Sequence, residues 1–160
     1  MPAPPLIPSN RYFVAGTRQV SWVPVMANYL APTRAELNSG TDVSGQLQAM
    51  NGFSVTATPF DTPDMGSKFV AQVSGRLTAG QSDITLYLSS NSIDGRALLP
   101  RGAAGNVVVF WEGDQPGLKM SVFPVTVISQ GPDTGTDSAG MVTFSFAPSR
   151  VPAENLTVPA

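Results

Sequence analysis

Eleven acidic and nine basic side chains, with no histidine and no cysteine, are the inventory from which this 160-residue chain could build a reactive site. That excludes zinc fingers and zincins, Ser-His-Asp and Cys-His nucleophile systems, and the usual haem and iron–sulfur ligation. A carboxylate pair could still hydrolyse glycosides, and oxygen ligands could hold a hard cation. The closest apolar-flanked pair, Asp61 and Asp64, sits in Asp61-Thr62-Pro63-Asp64, where proline and short polar neighbours read as a turn. Asp133 and Asp137 lie in a Gly-Pro-Asp-Thr-Gly-Thr-Asp stretch without the Glu that a calcium loop needs at fixed spacing, so this stretch reads as a strand connection. No glycine-rich run ends in Gly-Lys-Ser/Thr, and Gly102-Ala103-Ala104-Gly105 lacks the dinucleotide spacing and reads as a turn. The expectation is a protein that is not an enzyme, with no cofactor and no metal.

Charge agrees. Nine Lys and Arg against eleven Asp and Glu leave a net charge of −2, unlike a protein built to grip phosphate. Only 12% of residues are charged while 42% are hydrophobic, and 15 Gly with 15 Pro speak against long solvated helices. The length fits a single domain, residues 1–160, with a core that needs no disulfide or metal. The start, Met1-Pro2-Ala3-Pro4-Pro5-Leu6-Ile7-Pro8, has neither the basic region nor the apolar run of a signal peptide. No window approaches about 18 consecutive apolar residues, so no membrane span is expected. The sequon Asn155-Leu156-Thr157 reads as chance, and folding in a cytoplasm is expected.

The elements that must position any site are strands. Alternation with period two recurs in 141–146 (Val142, Phe144, Phe146 on one side), 84–88, 69–77 (Phe69, Ala71, Val73, Leu77) and 53–60 (Phe53, Val55, Ala57), each read as a strand with one buried face. Val107 to Trp111 is continuously apolar and calls for burial on both faces, in the core or against another subunit. Pro24 within 20–26 and Pro124 within 118–128 each predict an edge, a bulge or a bend. At Pro124 the inward set changes from Leu118/Met120/Val122 to Val125/Val127, as in a bulge. Helix signals are short: Ser92 as N-cap and Pro100 as stop frame about two turns, and Thr33 three residues before Glu36 has capping-box spacing, with Asn38, Ser39 and Gly40 ending that turn. Trp22 and Trp111 are expected in the core. Proline-rich arms, 1–12 and 147–160, look extended. The architecture is mainly β: seven or eight antiparallel strands as a β-sandwich or open barrel, with one short α-helix late in the middle.

The order of these features resembles the tail tube (major tail) proteins of long-tailed bacteriophages. The likeness covers nearly the whole chain: the strand Val20-Ser21-Trp22-Val23-Pro24-Val25-Met26, the segment Pro32-Thr33-Arg34-Ala35-Glu36-Leu37 with Gly40-Thr41-Asp42, Asn51-Gly52-Phe53 leading a strand, the short helix at 93–99, and the late Phe123-Pro124-Val125 strand. The resemblance implies a structural virion protein whose hexameric rings stack into a hollow tube that conducts viral DNA to the host cell, the sheets joining edge to edge around the channel. It implies partners: further copies of itself, then tape measure, tail terminator and baseplate or tail-tip proteins, with DNA passing through the lumen unbound. It places the protein in the phage tail, after synthesis in the host cytoplasm. With two lysines in the chain, Lys68 and Lys119, the lumen would ignore phosphate. Candidate inter-subunit contacts are Pro32, Thr33, Glu36, Leu37 and Asp42 in 31–50, Asp61, Asp64, Met65 and Lys68 in the 60–68 loop, and Phe146 and Val151 towards the C-terminus. Two other readings fit the residues: a non-enzymatic β-sandwich binding module for carbohydrate or cell-surface adhesion, and the tube protein of a contractile injection or type VI secretion system.

Overall fold

The apolar stretch around Pro124 forms one fifteen-residue strand, β8 (Lys119–Asp133), on which the rest of the sheet is organised. The computed structural model describes residues 16–89, 93–133, 135 and 139–160. The N-terminal arm 1–12, Ser92 and Asp137 lie outside them. The first half of β8 runs between β7 (Ala104–Phe110) and β10 (Ala153–Thr157), and its second half pairs with β9 (Met141–Pro148), all antiparallel. The bulge expected at Pro124 is absent: the register against β7 runs unbroken from Ala104 opposite Thr126 to Phe110 opposite Met120. The two apolar sets are the two faces of one strand, and both are buried. Pro124 is tolerated inside a central strand because of where its backbone points. Its carbonyl accepts from Ser149 N at 3.0 Å, in the turn between β9 and β10. Its missing N–H thus falls where β8 passes from β10 to β9, and no ladder bond is lost. The actual register shift lies further on, between Val127 and Ser129.

The remaining strands are β1 (Gln19–Val23), β2 (Thr41–Asp42), β3 (Leu47–Asn51) and β6 (Ser82–Tyr87), giving the order β2-β1-β7-β8-β9-β6-β3 with β10 beside β8. β1 stops at Val23, immediately before Pro24. The sheet curls until its inner faces meet: Val20 and Trp22 of β1 share one buried cluster with Ile84 and Leu86 of β6 and Phe144 and Phe146 of β9, and the Trp22 and Phe146 rings lie 6.2 Å apart. Gly105 makes room for the indole, because a Cβ there would stand 2.4 Å from Trp22 Cζ2. On the outer face, Val108, Phe110, Met120 and Val122 pack with Leu37, Ala153 and Val158. The apolar run of β7 is therefore buried on both faces by its own chain, each fully buried side chain contributing about 1.5–3 kcal/mol. The C-terminal segment 147–160, read as an arm, lies along β8 through β10 and buries Ala153 and Val158.

The capping box forms as its spacing requires: α1 (Arg34–Asn38) is capped by Thr33, with Glu36 bonding back to the cap. The second helix differs from expectation. α2 (Gly95–Leu98) is one turn with Asp94 as N-cap, and its C-terminal carbonyls of Arg96 and Leu99 accept from Gln130 Nε2 on β8. β4 (Val55–Thr62) and β5 (Ala71–Ala79) pair only with each other, forming a hairpin outside the curled sheet.

Candidate assembly surface

The hairpin is the largest departure from the sequence reading. Both strands alternate as if one face were buried, yet every residue of β4 and β5 is exposed or at most half-buried. Phe60 stands opposite Val73 and Ala57 opposite Leu77, with a register shift between Ala57 and Pro59. Phe60, Val73 and Leu77 keep 57%, 51% and 57% of their surface in water, and the connecting loop adds Met65, Phe69 and Val70. Gly75 lets the Phe60 ring lie flat on β5, because a Cβ there would come within 2.3 Å of the ring and of the Thr58 carbonyl. The polar residues of the hairpin bond across its ladder and within its turn. Asp61 accepts from Gln72 Nε2 at 2.7 Å, Asp64 from Gly66 N at 2.8 Å, and Thr62 Oγ1 donates to the Ala71 carbonyl at 2.9 Å. Asp64 is thus a turn-forming residue, whereas Asp61, read as part of the same turn, stands in β4 opposite Gln72. Across the described residues no group of three His, Cys, Asp or Glu stands close enough to hold a metal ion.

Two clefts open beside the β9–β10 turn, one of them at the hairpin base. One, of about 200 Å³, lies between Val55, Leu77 and Ala79 and the β9–β10 turn at Pro148–Pro152, where Val151 is exposed. The other, of about 230 Å³, is bordered by Pro24, Met26, Tyr29, Asn106 and Arg150. A further exposed resource is the sheet's own margin: β2 and β3 are terminal strands, each paired on one side only.

The other candidate contacts separate into outward and inward groups. Phe146 is fully buried, Leu37 keeps 5% of its surface, and Pro32 is buried, so these three serve the chain's own packing and present nothing to a neighbour. Their alternation or helical position required burial, and the chain supplies it. Glu36 is occupied internally: its carboxylate accepts from Ala27 N at 2.7 Å and from Thr33 N and Oγ1 at 2.8 Å each. The bond from the Thr33 backbone, then those from Ala27 N and the Thr33 hydroxyl, hold its pKa below the usual glutamate value. Asp42 bonds Ser44 N at 2.8 Å and shapes the turn into β3. Arg34 forks onto both carboxylate oxygens of Asp114, tying α1 to the β7–β8 connection. Thr33, Asp42, Asp61, Asp64, Met65, Lys68 and Val151 remain outward.

Sequence reasoning placed Trp111 in the core, but it keeps 38% of its surface in water beyond the end of β7. Its Nε1 donates to Ser121 Oγ at 3.0 Å, and the Arg18 guanidinium lies 5.1 Å from the ring centroid. Phe69, read as inward, is outward. An apolar period of two shows that a face seeks a partner but not whose surface supplies it.

A β domain whose polar residues are spent on its own turns and whose surplus apolar surface stands on a projecting hairpin is a subunit shaped for association. The family model described as phage tail tube protein matches residues 7–160, and the chain belongs to that family. It is a structural protein of phage tails. No curated protein sequence matches the chain. Solved structures share the fold: a chain from the cryo-EM baseplate of the anti-feeding prophage (TM-score 0.59, 13% identity, 95% of this chain and 100% of that one), a chain from the tail of an empty gene transfer agent particle determined with C6 symmetry (0.53, 10%, 86% and 95%), and one from the native gene transfer agent virion (0.52, 11%, 74% and 91%).

Proposed function

We propose that copies of this chain associate as hexameric rings that stack into the hollow tail tube and conduct viral DNA to the host cell. The observation that carries this reading is the β4–β5 hairpin, a two-stranded element with no covered face. Such a ribbon is marginal alone in water and gains stability only when another surface covers it. The one-sided strands β2 and β3 support the reading, since unpaired ladders guarded by few charges suit pairing with a neighbouring copy. Thr33, Asp42, Asp61, Asp64, Met65, Lys68 and Val151 are the proposed contacts among the residues first considered. Tape measure, tail terminator and baseplate or tail-tip proteins are the proposed partners at the two ends of the tube. A net charge of −2 suits a conduit that lets phosphate pass without gripping it. The protein is made in the host cytoplasm and works in the virion, and among the described residues no helix is long and apolar enough to cross a membrane.

The test is negative-stain electron microscopy of purified protein across a concentration series, with light scattering. Rings or hollow tubes of uniform width are expected. A strict monomer at every concentration, with and without tail-tip components, sinks the reading.

A further inference from the structure

Asn51, alone of the chain's asparagines, is followed by glycine. The fold requires glycine at that place. Gly52 leaves the end of β3 at φ +80°, in the left-handed region that suits glycine, and a Cβ there would collide with the Gln81 carbonyl oxygen. Two donors keep the turn in that shape, since Ser54 N and Ser82 Oγ reach the Gly52 carbonyl at 2.7 and 3.1 Å. Asn51 and Gly52 are both exposed, and Asn51 is the last residue of β3, a strand paired on one side only. The terminal residue of such a strand opens at little cost in free energy.

We propose that Asn51 is a site of spontaneous covalent modification, at which its carboxamide becomes a carboxylate through a cyclic imide formed with Gly52. When the end of β3 frays, the Gly52 backbone nitrogen attacks Asn51 Cγ, with no side chain on Gly52 to hinder the approach. The new N–C bond closes a succinimide ring, and the carboxamide nitrogen leaves as ammonia with the proton that Gly52 N gives up. Water then opens the ring by cleaving either bond from a ring carbonyl to nitrogen. Cleavage at the side-chain carbonyl yields aspartate, and cleavage at the backbone carbonyl yields isoaspartate, whose main chain runs through the side chain. One water is consumed, one ammonia is released, and nothing is oxidised or reduced. The product meets a specific neighbour. Asn51 stands directly opposite Asp83 of β6, so the two side chains share a face of the sheet. Asp83 is poorly supported there, because its Oδ1 is buried without a hydrogen-bond partner among the described residues. A carboxylate on residue 51 sets like charges directly opposite each other, which weakens a strand pair. Isoaspartate also adds a backbone carbon at the last step of the register. Either product loosens the end of the β3–β6 ladder.

The experiment incubates the full-length protein warm in mildly alkaline buffer, which speeds loss of the amide proton. Peptide mapping by mass spectrometry follows the amide-to-acid mass gain at each asparagine and separates aspartate from isoaspartate. Residue 51 is expected to convert first and to give both products, while Asn106, which is 8% exposed and precedes Val107, stays intact. Asn51→Gln, whose longer side chain closes the ring poorly, is expected to stop the conversion and to melt as the wild type does. The consequence is read in Asn51→Asp, expected to lower the folding equilibrium constant by roughly two- to fivefold, with Asp83→Asn in the same chain recovering the loss. Conversion at residue 51 no faster than at the other asparagines, or aspartate without isoaspartate, overturns the site. An Asn51→Asp chain as stable as wild type, or a loss that Asp83→Asn does not recover, overturns the contact with Asp83.

Discussion

Gln46 is the residue most at odds with its surroundings. It ends a short 3-10 turn between β2 and β3 and keeps 9% of its surface, and neither atom of its carboxamide has a hydrogen-bond partner. Leaving buried donors and acceptors unpaired costs about 1–3 kcal/mol each, whereas an apolar group of similar shape carries no such cost. Gln46→Leu is therefore expected to leave the folded subunit as stable as wild type or to raise its stability by about 1 kcal/mol. The urea midpoint of the unassembled protein checks this, and a loss of stability would show that the amide finds a partner in solution. Trp22 and Phe146 show the opposite case, in which side-chain shape is met fully: each ring fills space that neighbouring residues leave for it, and Gly105 is part of that fit.

At the scale of elements, α1 and the hairpin behave differently. The α1 capping box also fixes the preceding loop, because the Glu36 carboxylate holds Ala27 N as well as Thr33. Its pKa in the folded protein lies below the ordinary value of 4.5, so this support is present in full above that value and is lost as the pH falls through the lower, folded one. Glu36→Gln should accordingly melt below wild type at neutral pH, and the gap should narrow in acid, as thermal melts across that range will show. A gap that does not change with pH would assign the effect to shape instead of charge. The hairpin touches neither buried cluster, and Val55 and Ala79 at its base are cross-strand partners. Replacing residues 56–78 with a tight turn should leave the melting temperature close to wild type while abolishing tubes; a collapse in stability would mean that the hairpin props up its own subunit. These elements also show what sequence can tell. The capping box, the strands β6 and β9 and the apolar β7 were legible because local spacing sets them. The partner of the hairpin was not, because Phe69 and Val73 alternate just as Phe144 and Phe146 do. The straight passage of β8 through Pro124 was hidden too, since it depends on β9 and β10 meeting beside that one residue. Of the candidate contacts, the exposed turn at 63–68 could be read from its Pro, Asp and Gly residues, whereas the inward positions of Leu37 and Phe146 needed the curl of the whole sheet.

For the whole molecule, stability and association are housed in different parts of one chain, and this separation can be measured amide by amide. The core strand β7 and residues 120–127 of β8 are bonded on both sides and largely buried on both faces, so their amides exchange with solvent only when the subunit unfolds. The hairpin ladder is bonded only to itself and exposed throughout, so it can open while the sheet stays intact. Hydrogen exchange should therefore find β4 and β5 fast, and β7 and the first half of β8 slow, in the subunit. In the assembled tube the hairpin amides should slow by orders of magnitude, while those of β7 and β8 change little, because the core gains no new cover. Slowing confined to β2 and β3 would instead show that copies join through the sheet margins alone, with the hairpin left in solvent. That pattern would keep the lateral contact and remove the hairpin from the assembly.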